Sequence, residues 1–388
     1  MGEIATAMTA TTSIPGVAEA VAAAAAAADD VDRKSRFPTE AVNQMKEARL
    51  LSASLPEGLG GRSLGISGLA RIARSLGGAC SSAGMVFAMH HTQALTLAHH
   101  GREGKIAALT ADIAAKEALL ASATTEITTG GDVRTSTCAV IRDGDEIVLE
   151  KNAPVISYGE SADYVCATAR KSEDSQPNDQ VLVVCPAADT SLEMTKPWDV
   201  IGFRGTCSPG FILKTRTSAD NVVPVSYSTI SERTMLPASH VLWASVWLGI
   251  ADAALTKARK ATRDSVRRSG GGSTVPQAAL LADLTALHQE FESLVDREVL
   301  RYGTFLASDS AEPTVGFAIA MNNLKLVSST SIVDIVTGTL RLIGINGYRE
   351  NHELSMSRLL RDSFAPQLMV SNDRIRANNS QLVLMYRG

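Results

Sequence analysis

The sequence is poor in aromatic residues and in cysteine. Phe, Trp and Tyr together make up 4% of its 388 residues, and there are five cysteines. An odd number of widely spaced cysteines, with no CxxC pair and no histidine at zinc-ligand spacing, favours neither a disulfide framework nor a structural zinc site. Such cysteines fit a reducing cytoplasm. The scarcity of aromatics beside abundant alanine favours helices that pack through small residues.

A strong charge of one sign and long apolar runs are also missing. The 37 basic and 41 acidic residues leave a net charge of -4, so the chain has no broad basic field for nucleic acid. We find no run of about 18 strongly apolar residues that would predict a membrane span. The N-terminus lacks the basic and Leu-rich regions of a secretory signal. We therefore expect a cytoplasmic protein that binds neither nucleic acid nor membranes.

Several common site motifs are absent from the sequence. It contains no P-loop, no GxGxxG after a predicted strand, no GxSxG elbow and no metal-ligand motif. A Rossmann domain, a nucleophile elbow and a metal centre are therefore not predicted.

The hydrophobic pattern divides the chain into three domains. Residues 1–118 show helical periodicity, residues 119–230 show short strand-like runs between turns, and residues 231–388 return to long helices. The predicted fold class is α+β, with a helical N-terminal domain, a middle antiparallel β-barrel or sandwich, and a helical C-terminal bundle.

Two loops and one histidine-rich helix are the candidate sites for chemistry. The loop from Ala121 to Asp132 combines hydroxyl side chains with adjacent glycines and offers backbone N–H groups to a ring edge or a phosphate. The turn from Trp198 to Ser208 is Gly-rich and carries one arginine. Either loop on its own is more typical of an ordinary turn than of a binding site. His90 and His91 lack the spacing of metal ligands and are interpreted as structural or cavity-lining residues.

Seven segments in order resemble the acyl-CoA dehydrogenase superfamily of flavoproteins. Together they span about residues 14 to 385. The matching segments are Leu55–Gly61 (P-E-x-x-G-G), Thr125–Asp132 (T-E-P-x-A-G-S-D), Val155–Gly159 (W-I-T-N-G), Trp198–Ser208 (G-x-R-G-T-x-S), Leu248–Ala251 with Leu281–Asp283 (bundle helices), Gly344–Tyr348 (G-G-x-G-Y) and Arg358–Asp362 (R-x-x-R-D). The resemblance implies that the C-terminal domain is a four-helix bundle.

The resemblance implies a flavin cofactor, FAD in most members. Thr125, in a loop with Gly130 and Gly131, would then bind the pyrimidine side of the flavin ring, and Ser157 would lie near its N5 atom. The implied contacts to the adenine or pyrophosphate part come from Arg267, Gly344 and Gly347, often in a neighbouring subunit. His90 and His91 would lie on a helix that lines the substrate cavity. A homodimer or homotetramer is implied, with an electron-transfer or flavin-reductase partner.

The sequence departs from the family at the catalytic base. Removal of the α-proton from an acyl thioester needs a carboxylate, and the two positions where the family carries its glutamate align with Val370 and Ser239. Three substitutes are open: Asp373, three residues after Val370; Glu232; and His240, which could be a base or a proton donor. Each of these residue types is more often a surface or capping residue than a catalytic base.

Two further departures concern the cofactor. Val155 stands where a tryptophan often covers the flavin ring, and Arg267 matches the family's pyrophosphate-binding arginine only loosely. FMN is therefore an alternative to FAD.

Three functions remain open from the sequence. The first is α,β-desaturation of an acyl thioester, carried on CoA or a carrier protein, with a displaced base. The second is a flavin-dependent monooxygenase on the same fold, which uses reduced flavin and O2 and which the missing carboxylate favours. The third is a non-catalytic homologue.

Overall fold

The structure is a computed structural model that describes residues 14–130, 132–268, 276–308 and 312–387. Its N-terminal part is helical. The helices are α1 (Val17–Lys34), α2 (Thr39–Glu47), α3 (Ile66–Ala79), α4 (Ser81–His100) and α5 (Ile106–Ala115). In α1 the buried residues recur every three or four positions, from Val17 to Val31, so that one alanine-rich face packs against the core.

Among its described residues, the middle part contains seven strands in two sheets. The strands are β1 (Leu120–Ala123), β2 (Ile141–Asp143), β3 (Glu146–Ala153), β4 (Tyr164–Arg170), β5 (Gln180–Pro186), β6 (Thr190–Lys196) and β7 (Gly210–Ser218). One sheet has the order β1-β4-β5 and the other β2-β3-β7-β6. Strand β1 pairs in parallel with β4, so the middle part is not purely antiparallel as the sequence suggested. Burial alternates along β3, which turns Lys151 inward.

The C-terminal part is again helical, which confirms the helix–strand–helix order predicted from the sequence. Its helices are α6 (Tyr227–Ile230), α7 (Leu236–Arg268), α8 (Pro276–Leu306), α9 (Val315–Ile343), α10 (Ile345–Tyr348), α11 (Ser357–Phe364) and α12 (Asn372–Met385). A π-helical turn, Ser231–Met235, joins α6 to α7. Helices α7, α8 and α9 pack on one another, and α12 lies against α9.

From the sequence we expected no apolar run long enough to span a membrane, but the structure contains two helical segments that meet this criterion. Two helical segments, Tyr227–Arg268 and Val315–Ile343, are long and apolar enough to cross a membrane by length and composition. Their most apolar windows are 83% and 50% buried within the protein, as in the core helices of soluble proteins. They are weak evidence for a membrane.

Glycines allow the N-terminal helices to approach the bundle closely. A Cβ atom at Gly249 of α7 would lie 2.0 Å from the carbonyl oxygen of Arg74 on α3, and one at Gly77 would lie 2.5 Å from the carbonyl oxygen of Val246. Because neither glycine has a side chain, the two backbones touch along this line. The contact fixes α3 and α4 against α7, beside the segments described next.

Candidate active site

The turn before β7 is bonded to the segment that follows β3. The amide of Tyr158 donates to the carbonyls of Thr206 and Cys207, both at 2.8 Å. The Ser208 hydroxyl donates to Ser157 Oγ at 2.9 Å, so the Ser157 hydroxyl keeps its own proton for another acceptor. Ser157 is half-buried. This geometry fits the predicted hydrogen bond from Ser157 to a flavin ring.

Backbone strain is concentrated at this junction. Tyr158, Phe203 and Cys207 have φ angles of 42°, 49° and 41°, in the left-handed region that non-glycine residues seldom occupy. Such strain persists only where surrounding contacts fix it, and it occurs preferentially at functional sites. The Tyr158 hydroxyl supplies one of these contacts by donating to the Leu120 carbonyl at 3.0 Å.

Asp362 supports the same turn from the C-terminal part. Its carboxylate accepts the Phe203 amide at 2.6 Å, and its side chain is buried at the end of α11. Burial raises the pKa of this carboxyl group. The preceding Arg361 pairs with Asp32 of α1. Three separated segments that carry the sequence resemblance thus meet at one place.

The loop after β1 is held by a buried ion pair. Glu126 is 3% exposed and accepts a hydrogen bond from Lys151 Nζ at 2.8 Å, and the lysine side chain is completely buried. Ser136 and Thr137 also donate to this carboxylate. Burial alone would raise the pKa of Glu126, but the charge of Lys151 and these hydrogen bonds outweigh it and lower the pKa to about 2.

The ion pair lies next to the residues of this loop that are predicted to bind the flavin, Thr125 and Gly130. Thr125 is half-buried directly before Glu126, and Gly130 is exposed with a φ of 59°. A Cβ atom at Gly130 would meet only the Arg374 guanidinium, at 3.7 Å, so a ring edge can approach this backbone. Gly131 lies outside the described residues. The loop therefore fits a flavin.

The turn before α12 carries the residue aligned with the family's base. Val370 is 44% exposed and has a φ of 47°. Lys325 of α9 donates to the Val370 carbonyl and to Asn372 Oδ1, each at 2.7 Å. The Arg374 guanidinium donates to the Gly130 carbonyl. The turn before α12 and the loop that contains Gly130 are therefore neighbours.

Of the three proposed substitutes for the base, Glu232 is exposed in the π-helical turn before α7, and the other two lie in opposite environments. Asp373 is 92% exposed and pairs with Arg376 at 3.0 Å. His240 is buried and donates from Nδ1 to the Met321 carbonyl at 3.0 Å. Burial, together with the charge of Lys325, lowers the pKa of His240 to about 3, so the ring is neutral near pH 7. The catalytic roles predicted for both residues stay predictions.

His90 and His91 are fully buried, and all four of their ring nitrogens have partners. His90 donates to the Leu51 carbonyl at 2.7 Å and accepts the Leu120 amide at 3.1 Å. His91 donates to the Leu50 carbonyl at 2.9 Å and accepts from Ser54 Oγ at 3.0 Å. These bonds tie α4 to the chain before α3 and to β1, and they favour the structural interpretation. The cavity-lining role stays a prediction.

The remaining predicted flavin residues lie at the other end of the bundle. Arg267 is exposed in the last turn of α7, about 27 residues beyond His240, which corresponds to roughly 40 Å along a helix. Gly344 ends α9 with a φ of 71°, and Gly347 follows in α10. Lys257 of α7 donates to the Ser355 carbonyl at 2.8 Å, so the same ends of α7 and α9 are adjacent. The Gly347 carbonyl accepts the Met356 amide at 2.8 Å, directly before α11.

Comparisons with known proteins place this geometry in a family. Residues 11–117 match the family model described as acyl-CoA dehydrogenase, N-terminal domain. The chain is 24% identical over 350 residues to a cyclohex-1-ene-1-carbonyl-CoA dehydrogenase of Geobacter metallireducens, covering 89% of this chain and 90% of the relative. The FMN-bound structure of TdsC from Paenibacillus sp. A11-2 aligns with a TM-score of 0.85 at 16% identity, covering 96% of this chain and 97% of that one. The chain is thus similar to members of the acyl-CoA dehydrogenase superfamily over nearly its whole length, and residues 11–117 match the family's N-terminal domain.

The predicted family, fold class and enzyme class are therefore confirmed. The relatives also include the amino sugar nitrososynthase DnmZ of Streptomyces peucetius. It is 26% identical over 349 residues, and the alignment covers 86% of this chain and 82% of DnmZ. The proteins similar to this chain thus include dehydrogenases, a nitrososynthase and, among the structural neighbours, TdsC, a dibenzothiophene monooxygenase. Flavin binding is supported at the level of the family.

Proposed function

We propose that this protein is a flavin-dependent monooxygenase, which uses reduced flavin and O2 to oxygenate a small-molecule substrate. The surroundings of Val370 carry the proposal. Neither aligned base position holds a carboxylate, and Asp373 is exposed and ion-paired with Arg376. Proton abstraction from an acyl thioester needs a base within reach whose pKa suits the task. His240, with a pKa of about 3, is a weak base.

Cations replace the carboxylate around this turn. Lys325 contacts the Val370 carbonyl, Arg374 contacts the Gly130 carbonyl, and Arg376, which pairs with Asp373, lies two residues further along α12. Fixed positive charge stabilises negative charge that develops during a reaction. A bound reduced flavin would supply the electrons that convert O2 into a negatively charged, reactive species. The charge of this turn thus suits oxygen chemistry better than proton abstraction.

The chain's own residues would bind and orient the flavin ring. Thr125 and the open backbone at Gly130 would hold its pyrimidine edge, and Ser157 would donate its remaining proton near N5. We infer that FMN meets the needs of this site, because the residues collected within one chain serve only the ring. FAD is the alternative and would require Arg267, Gly344 and Gly347 from a second copy in a homo-oligomer.

Acyl-thioester desaturation is the second candidate. The cyclohex-1-ene-1-carbonyl-CoA dehydrogenases among the relatives favour it. A thioester dehydrogenase would need a base other than the usual glutamate and an electron-transfer partner, whereas a monooxygenase would need a flavin reductase. A non-catalytic homologue is the third candidate.

Two measurements on the purified protein separate these candidates. With FMN and an added flavin reductase, we expect oxygen consumption coupled to product formation with aromatic heterocycles or amino sugars, and none of that product with the Ser157→Ala variant. The same protein, loaded with flavin and kept anaerobic, should not be bleached by a panel of acyl-CoA thioesters. Bleaching by any thioester would overturn the proposal in favour of desaturation. Failure to bind FMN or FAD would leave the non-catalytic homologue.

A further inference from the structure

Lys325 is a lysine in the interior of the bundle. It lies in the middle of α9, and its side chain is completely buried. A buried ammonium group is costly unless its protons are hydrogen-bonded. Its two partners, the Val370 carbonyl and Asn372 Oδ1, are both uncharged and both belong to the turn that precedes α12. Both hydrogen bonds of the Lys325 amine are therefore made to that turn.

The contact fixes a turn that would otherwise be unfavourable. Val370 is β-branched and has a positive φ, a conformation that such residues rarely adopt without external support. One helical turn after Lys325, Ser329 accepts a hydrogen bond from Asn372 Nδ2 at 3.1 Å. Helix α9 thus holds the turn at both ends.

Helix α12 depends on few apolar contacts. Asn372 and Ile375 are its buried residues, and Asn322 of α9 bonds the side chains of Asn378 and Asn379 at 3.1 and 2.8 Å. Polar contacts therefore set much of its position. Arg374 in its first turn contacts the Gly130 carbonyl. A shift of α12 would therefore also move the loop that contains Gly130.

We propose that Lys325 is a positioning residue of the flavin site. It holds the Val370–Asn372 turn and, through Arg374, the Gly130 loop in the arrangement that binds flavin. The inference rests on the proposed function in taking the Gly130 loop as flavin-binding. It goes beyond that function by assigning control of the loop to a residue of α9.

The charge of Lys325 is set by its surroundings. Burial, together with the charge of Arg376 on α12, lowers its pKa to about 7. His240 on α7 is the other titratable neighbour and is neutral near pH 7. A neutral amine keeps two N–H groups for its two acceptors, so the hydrogen bonds persist above pH 7 while the positive charge is lost. Flavin affinity should therefore change between pH 6 and 8.5.

Two variants test the inference. Lys325→Met keeps the apolar stem and removes both hydrogen bonds. Lys257→Met is the matched control, because Lys257 also donates to two uncharged oxygens, the carbonyls of Glu353 and Ser355 at 3.1 and 2.8 Å, but from the C-terminal half of α7. The readouts are FMN affinity by fluorescence titration between pH 6 and 8.5, and trypsin cleavage after Arg374 and Arg376, mapped by mass spectrometry.

We expect Lys325→Met to bind FMN about tenfold more weakly, to lose the pH dependence and to be cleaved faster in α12. The control should behave like the wild type in all three measurements. If Lys325→Met matches the wild type in affinity, pH profile and cleavage, the inference is wrong. If that variant does not fold, Asn372→Ala removes one acceptor and leaves the lysine. It must then show weaker FMN binding and faster cleavage in α12, and wild-type affinity and cleavage in it overturn the inference.

Failure of the proposed function would look different. If the wild type binds no flavin, or binds it and catalyses no oxygenation, the monooxygenase proposal fails. The cleavage measurement then still decides whether Lys325 positions α12.

Discussion

The ion pair between Glu126 and Lys151 permits a quantitative prediction about the flavin loop. Every polar group around the Glu126 carboxylate is a donor: Lys151 Nζ, the hydroxyls of Ser136 and Thr137, and the amides of Thr137 and Cys138. Glu126→Gln keeps the shape but replaces one acceptor oxygen by an NH2 donor. Removing one partner of a buried pair leaves the other charge unpaired, which typically costs about 3–5 kcal/mol.

The pKa of Glu126 gives an independent magnitude. A fall from the ordinary 4.5 to about 2 corresponds to about 3 kcal/mol of stabilisation, since each unit of pKa is worth about 1.4 kcal/mol. The folded pKa lies below the unfolded one, so this stabilisation is fully present above pH 4.5. It is lost as the pH falls through 2. Glu126→Gln should lack this contribution to the pH dependence of unfolding.

Urea unfolding at pH 7 tests the pair. We expect Glu126→Gln and Lys151→Met each to lose about 3–5 kcal/mol, and the double variant to lose clearly less than their sum. The matched control is Arg216→Met, which breaks exposed pairs with Asp143 and Glu146 and should cost less than about 1 kcal/mol. A loss in Glu126→Gln no larger than in the control, or additive losses in the double variant, would refute the reasoning.

Three further predictions concern packing, the turn at Phe203 and the flavin. Gly249→Ala should destabilise the protein by at least about 1–3 kcal/mol in urea unfolding, because its Cβ would lie 2.0 Å from the Arg74 carbonyl oxygen, whereas Gly58→Ala, with open space around it, should be nearly neutral. Asp362→Ala should cost about 1–3 kcal/mol by leaving the Phe203 amide unpaired, and Asp362→Asn, which keeps an acceptor, should cost less; equal losses would contradict this role. FMN and FAD should bind the monomer with the same affinity in fluorescence titrations, and tighter binding of FAD by monomer would contradict the inference that one chain serves only the ring.

The elements with a clear hydrophobic period were predictable from the sequence, and those without one were not. The apolar run Gln180–Pro186 predicts a strand with the observed bounds of β5, which is buried at almost every position. Strand β6, Thr190–Lys196, is mostly exposed, so its residues show no apolar alternation, and it was missed. The run Cys138–Ile141 predicts the first strand of a hairpin, but β2 covers Ile141–Asp143, because it is a short, exposed edge strand without an apolar pattern of its own.

The candidate site was predictable only as far as its motifs reach. Thr125, Gly130 and Ser157 lie in segments that resemble the family, whereas the contacts that hold them come from distant positions. Lys151 is paired with a residue 25 positions earlier, and the turn at Val370 is held by a lysine 45 positions earlier. One signal was present for Lys325. It falls in step with Met321, Ser328 and Ile332 on the buried face of α9, where a charged residue requires a specific partner.

The choice of flavin and the oligomeric state are one physical question in this protein. Arg374 of α12 contacts the Gly130 carbonyl, whereas Arg267 lies in the last turn of α7, roughly 40 Å along that helix from His240. We infer that Arg267 contacts a flavin whose ring is bound by another copy of the chain. Tight FAD binding would then depend on protein concentration, whereas FMN binding would not.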